Sequence, residues 1–181
     1  ANGLIAFTGC MQGWVPQMIM RGKEGEAEKA MGQMIDIFGK ENYFVELHNH
    51  GIEEQVQLVP ELLKLAKKFD VKVVASNDVH YVKGEDWAPH DALLCIQTGS
   101  KLDDPNRMRY EAREFYLKSR AEMEDLFKEA PESITNTFAV AEMCDVKLPF
   151  GENNYPVFTM PPEISSEVED NVGYLKQQCI E

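Results

Sequence analysis

Val71-Lys72-Val73-Val74-Ala75-Ser76-Asn77-Asp78-Val79-His80-Tyr81 starts as an apolar run and ends in two side chains capable of binding a metal. The run from Val71 to Ala75 is β-branched, carries one lysine and has polar residues on both sides. It suits a strand covered on both faces of a parallel sheet. If the extended backbone persists, Ser76, Asp78 and His80 point the same way, and the carboxylate and imidazole reach one ion or two neighbouring ions. Taken alone, Asp-x-His also reads as a turn aspartate and a surface histidine after a strand.

Two other apolar runs end in reactive residues. Leu4 to Gly9 leads to Cys10, and Tyr43 to Leu47 leads to His48-Asn49-His50-Gly51. Helical segments separate the runs, so the order strand, helix, strand, helix, strand implies an α/β fold with a parallel sheet. Sites in such sheets and barrels gather at the carboxyl ends of the strands, where Cys10, His48, His50, Asp78 and His80 would lie.

With 181 residues, 44% apolar and 27% charged, the chain has enough sequence for one domain with a real core and the start of another. No apolar run approaches the roughly 20 residues that span a bilayer, and no signal segment opens the sequence, so a cytoplasmic location is expected. The four cysteines, Cys10, Cys95, Cys144 and Cys179, lack C-x-x-C spacing, and Cys95 and Cys144 read as helical core residues. A formal net charge of −13 argues against a broad phosphate-binding surface on this piece. Ala1 and the run Cys179-Ile180-Glu181 both read as cuts within a longer protein.

Along the chain, Met11 to Gly22 is a Met-rich apolar segment. Lys23 to Phe38 and Glu53 to Phe69 read as amphipathic helices, the second with buried positions at Val56, Val59, Leu62, Leu63, Ala66 and Phe69 and a bend or second start at Pro60. A helix over Gly84 to Thr98 carries His90, which reads as a packing residue as readily as a ligand. Asp103-Asp104-Pro105 is turn chemistry, and Phe115-Tyr116-Leu117 is a short strand. Ser119 and Glu122 form a capping box, and Pro131 opens a helix to about Cys144. The prolines from Pro149 to Pro162 mark a linker before an acidic segment, dividing the chain into 1–148 and 149–181.

Taken together, Gly3 to Cys10, Glu46 to Gly51, Ala75 to Tyr81, His90 to Gly99, Leu102 to Pro105 and Phe115 to Ser119 resemble the polymerase and histidinol phosphatase (PHP) domain of bacterial DNA polymerase III alpha subunits, the C-family replicative polymerases. The resemblance implies a partial distorted (β/α)7 barrel, namely the C-terminal part of a PHP domain over 1–148, with 149–181 a linker and the start of a polymerase body. It implies a barrel mouth holding up to three metal ions. Cys10, Asp78 and His80 match three of the metal ligands, with Asp78 and His80 as the catalytic residues. The remaining ligands are expected upstream of Ala1, and the polymerase carboxylates downstream of Glu181. His48 stands where the family more often has glutamine. Glu46, His50 and His90 are expected to support the ligands or contact phosphate.

The implied cofactors are Zn or Mn at the PHP site and Mg at the polymerase site. The implied partners are DNA, deoxynucleoside triphosphates, a proofreading exonuclease and a sliding clamp. Three functions follow: a replicative polymerase with a metal-dependent 3′–5′ exonuclease in its PHP domain, a noncatalytic PHP scaffold docking a separate exonuclease, or a stand-alone PHP-type phosphatase.

Overall fold

The computed structural model describes residues 3–153, 155–160 and 170–180. Pro161 and Pro162 of the expected linker, and the acidic residues 163–169, lie outside them. The chain divides into two compact units, Ala1–Cys144 and Asp145–Glu181.

The first unit is built on a parallel three-stranded sheet in the order β1 (Ala6–Phe7), β2 (Tyr43–Leu47), β3 (Val73–Ala75). This is the α/β architecture of a partial barrel. Between β1 and β2 come α1 (Trp14–Met20) and α2 (Glu24–Phe38), and between β2 and β3 comes α3 (Glu53–Phe69). Register runs from Ala6 against Tyr43 on one side and from Val45 against Val73 on the other. Strand β2 is central and β-branched or aromatic at three of its five positions, and all but Glu46 are buried.

Strand β3 is shorter than the Val71–Ala75 expectation, for a local reason. Asp70 ends α3 in a left-handed conformation at φ 53°, and the Val71 N–H bonds to the Ala66 carbonyl (2.9 Å). Val71 thus closes the helix, and sheet pairing begins at Val73.

Helix α3 differs from expectation twice. It runs through Pro60 without a break. Pro60 and Val56, whose carbonyl the proline leaves without a helical donor, both lie on the exposed side of the helix, open to solvent. Its buried stripe is Gln55, Leu58, Leu62, Leu65 and Ala66 rather than a stripe through Val56, which is 51% exposed. These residues join Met31, Tyr43, Val45, Leu47, Val73 and Ala75 in the core.

After β3 a 3-10 turn at Gly84–Asp86 precedes α4 (Trp87–Thr98), followed by α5 (Arg120–Leu126) and α6 (Glu132–Met143). The Ser119–Glu122 capping box forms as expected. The segment Phe115–Leu117 makes a single parallel bridge, Tyr81 to Tyr116, rather than a strand. Helix α6 covers β3, and Asn136 Nδ2 donates to the Val73 carbonyl (2.8 Å). Cys95 is buried as expected, but Cys144 is exposed because it follows the last turn of α6 in extended backbone.

In the second unit, α7 (Asn171–Ile180) packs Tyr174 against Phe158 with ring centroids 5.6 Å apart. None of the described helices is long and apolar enough to cross a membrane.

Strand β1 lies at the sheet edge, with Leu4 and Phe7 exposed beside it. Unpaired edge groups next to apolar side chains favour association, while the charge of −13 opposes it until salt screens the repulsion. Sedimentation of the 181-residue chain should therefore show more self-association at high salt than at low salt. A monomer at both would mean that the edge is closed.

Candidate functional site

Of the expected site residues, Cys10, His48, His50, Asp78 and His80 lie beyond strand ends, while Glu46 lies within β2 and His90 within α4. Thr8, after β1, is buried, and its Oγ1 accepts the Glu46 N–H of β2 (2.8 Å), tying the two strand ends together. The chain then turns through Gly9 at φ 78° to Cys10, and the Gly13 N–H returns to the Cys10 carbonyl (2.8 Å). A Cβ at Gly13 would stand 2.1 Å from the Thr8 carbonyl oxygen, so only glycine lets this turn close.

Glu46, His48 and Ser76 converge at the ends of β2 and β3. Ser76 Oγ donates to Glu46 Oε1 (2.6 Å) and lies 2.7 Å from His48 Nε2, which is 3.1 Å from the same Glu46 oxygen. Burial pushes the Glu46 carboxyl up, but the hydrogen bonds from His48 and Ser76 together outweigh it and hold the carboxyl below its ordinary value. One imidazole nitrogen serves both partners, and Nδ1 is buried without a hydrogen bond among the described residues. This is not the two-nitrogen relay of a serine nucleophile. Cys10, Glu46, His48 and Gln55 line a cavity of about 10 Å³, at the lower limit for one water.

His50 is only 2% exposed and joins three segments. Its Nε2–H donates to the Asn77 carbonyl (3.0 Å), Gln55 Nε2 donates to its Nδ1 (3.0 Å), and Gln55 Oε1 accepts its backbone N–H (2.7 Å). The ring stacks on Phe115 at 4.1 Å. One neutral tautomer satisfies every one of these contacts. Burial is the main cause holding His50 below its ordinary pKa, against the opposing Asn77 and Gln55 hydrogen bonds. With the folded value depressed below the ordinary 6.5, the unfolded chain takes up the proton first. Stability from this group is complete above the ordinary value and is lost as pH falls through the folded one. Denaturation midpoints at roughly pH 7.5 and 5.5 should show a larger loss for the wild type than for His50→Gln, and equal losses would contradict this.

Beyond Ala75 the extended backbone does not persist. Asp78 takes a left-handed conformation at φ 44°, so Ser76, Asp78 and His80 do not alternate along one strand face as expected. Asn77 Nδ2 donates to the Tyr116 carbonyl (2.9 Å), and the His80 N–H donates to the Phe115 carbonyl (2.8 Å). His80 Nδ1–H donates to the Asp78 carbonyl (2.7 Å), which leaves Nε2 to accept from the Tyr110 hydroxyl (3.1 Å). His90 approaches the His80 ring at 5.6 Å, and burial, then the nearby His80, lower its pKa.

The His80 tautomer suits a metal ligand, since ligating histidines usually give their other N–H to a carbonyl or carboxylate. Thiolate, carboxylate and imidazole also suit Zn or Mn by donor type. The set as placed does not make a metal site. Among the described residues no group of three or more His, Cys, Asp or Glu is positioned to hold an ion, and neither Asp78 nor His80 lines the cavity beside Cys10. The structure therefore pairs Cys10 with Glu46 and His48, and His80 with His90 and Tyr110, without joining the groups.

Gln55, Asn77, Tyr110 and Phe115 carry much of this arrangement and were not singled out from sequence. Gln55 had a readable signal: it lies three residues before Leu58 and seven before Leu62, a polar residue on the buried stripe of α3. Tyr110 had none, since it lies in irregular chain 30 residues after His80.

Residues 1–50 match the PHP domain family. Over 167 residues the chain is 38% identical to the DNA polymerase III subunit alpha of Treponema pallidum (strain Nichols), covering 92% of this chain and 14% of that protein. It is 40% identical over 167 residues to the same subunit of Thermus aquaticus, covering 89% and 14%. It is 42% identical over 143 residues to that of Saccharopolyspora erythraea, covering 78% and 12%.

The match to the PHP domain family covers residues 1–50, the segment that holds β1, β2 and the reactive residues Cys10, His48 and His50 beyond them. More particularly, the chain is similar to bacterial DNA polymerase III alpha subunits along nearly its whole length, and it spans about 14% of the length of these curated relatives.

Proposed function

We propose that this chain is the C-terminal part of the PHP domain of a replicative polymerase alpha subunit, in a cytoplasmic protein that copies DNA from deoxynucleoside triphosphates at an Mg-dependent site outside the chain. The observation that carries this is continuous similarity to named alpha subunits over 92% of the chain, at an identity of 38%. A proofreading exonuclease and a sliding clamp are the partners such a protein would meet.

The finer reading is that the PHP domain hydrolyses phosphodiesters at DNA 3′ ends with Zn or Mn. Cys10, Asp78 and His80 contribute part of the donor set, and the rest of the longer protein completes it. His80 supports this through its fixed tautomer, with Nδ1 on the Asp78 carbonyl and Nε2 left as an acceptor. A noncatalytic scaffold is the competing reading. The full-length protein, given a primed template, should extend the primer when nucleotides are present. With nucleotides omitted it should release a 3′-terminal label, and a chelator should stop that release. Extension without any release would favour the scaffold, and neither activity would overturn the assignment.

A further inference from the structure

A cavity of about 380 Å³ lies between the first two turns of α4 and the segment 107–113. Its volume is at the small end of the range of roughly 300–1,000 Å³ that holds small ligands. Three of the five arginines in the chain line it, Arg107, Arg109 and Arg113, against two carboxylates, Asp91 and Glu111. That balance is positive in a chain whose formal charge is −13.

The three arginines are not equivalent. Arg107 is spent on the protein: its Nη1 and Nη2 donate to the two Asp91 oxygens (2.6 Å each), and its Nε donates to the Leu102 carbonyl (3.1 Å). This fork neutralises Asp91 and pins the loop to α4. Arg113 lies over the Trp87 ring, 3.6 Å from its centroid. A guanidinium stacked by its face keeps its edge N–H groups for an anion. Arg109 has no hydrogen bond or ion pair among the described residues. Tyr81 and Tyr110 supply aromatic faces to the same wall.

We infer that this cavity binds a nucleotide, its phosphate held by Arg109 and Arg113 and its base set against Tyr81 and Tyr110. The planar fork of a guanidinium donates to two phosphate oxygens at once, and bases of any sequence stack on aromatic rings. A volume of about 380 Å³ takes one nucleotide unit rather than a length of strand. The cavity adjoins the residues of the hydrolysis proposed above, since the Tyr110 hydroxyl lies 3.1 Å from His80 Nε2, but the arginines that would hold the phosphate are none of them.

Calorimetric titration of the 181-residue chain, with chelator present, tests the site using thymidine 5′-monophosphate, thymidine and inorganic phosphate. The nucleotide should bind at least tenfold more tightly than either part alone. Arg109→Ala should weaken it at least tenfold, and Lys101→Ala, an equal charge change at an exposed position outside the cavity, should leave it unchanged. Arg113→Ala should weaken binding, and Arg113→Lys, which keeps the charge, should restore part of it. A 5′-phosphorylated oligothymidylate that competes supports the site with a strand end as its source, and one that fails to compete supports it with the free nucleotide. Equal binding of thymidine and its monophosphate, equal binding of inorganic phosphate, or an Arg109→Ala protein that binds normally would overturn the inference.

Discussion

Asp78→Asn in the full-length protein should lower release of nucleotides from a DNA 3′ end by at least about 100-fold, because losing even an outer partner of a metal ligand costs roughly 10–100-fold. The substitution keeps the size of the side chain, and asparagine tolerates the left-handed backbone at this position, φ 44°, as readily as aspartate does. The side chain is exposed, so the fold should be unaffected. Primer extension should continue at nearly the wild-type rate, since it uses a separate site. Release and extension assayed on one preparation separate the two activities. Release that survives the substitution would remove Asp78 from the hydrolytic site.

His50→Ala should have the largest effect on stability. The substitution removes a ring that is 2% exposed and stacked on Phe115, and it strands the Asn77 carbonyl and the Gln55 amide. A cavity of this kind, together with unpaired buried polar groups, costs about 2–4 kcal/mol. Because Asn77 immediately precedes Asp78, the loop carrying Asp78 and His80 should also lose its anchor. Urea denaturation of the 181-residue chain gives the stability term. In the full-length protein, release should fall about tenfold or more while extension holds, as expected for a positioning residue. A stability change below roughly 1 kcal/mol would show that His50 is not the tie between these segments.

Where the fold was legible in the sequence, periodicity made it so. Tyr43–Leu47 is a β-rich run bounded by polar residues, and Glu24–Phe38 and Glu53–Phe69 carry apolar residues at helical spacing; all three form close to their expected limits. What failed depended on single backbone choices. Asp70 and Asp78 both turn left-handed, the first ending α3 so that β3 starts late, the second breaking the alternation that would have aligned Ser76, Asp78 and His80. Asp70 is held by the end of its own helix, whereas the residues on either side of Asp78 are held by the Tyr116 and Phe115 carbonyls, far along the chain. The candidate site was legible in its residue types, not in its grouping. Strand ends located Glu46, His48 and His50 near one another, but no spacing rule connects His80 to Tyr110, or Arg107 to Asp91.

The proposed hydrolysis requires the full-length protein to complete a metal site to which Cys10, Asp78 and His80 contribute donors. Zinc and manganese bound per molecule, measured after dialysis, test this directly. The wild-type full-length protein should retain metal in stoichiometric amounts, and a Cys10→Ala, Asp78→Asn, His80→Ala triple variant should lose it, while the 181-residue chain alone should bind one ion weakly at most. Equal metal content in the wild type and the triple variant, or three ions bound tightly by the 181-residue chain, would contradict the account.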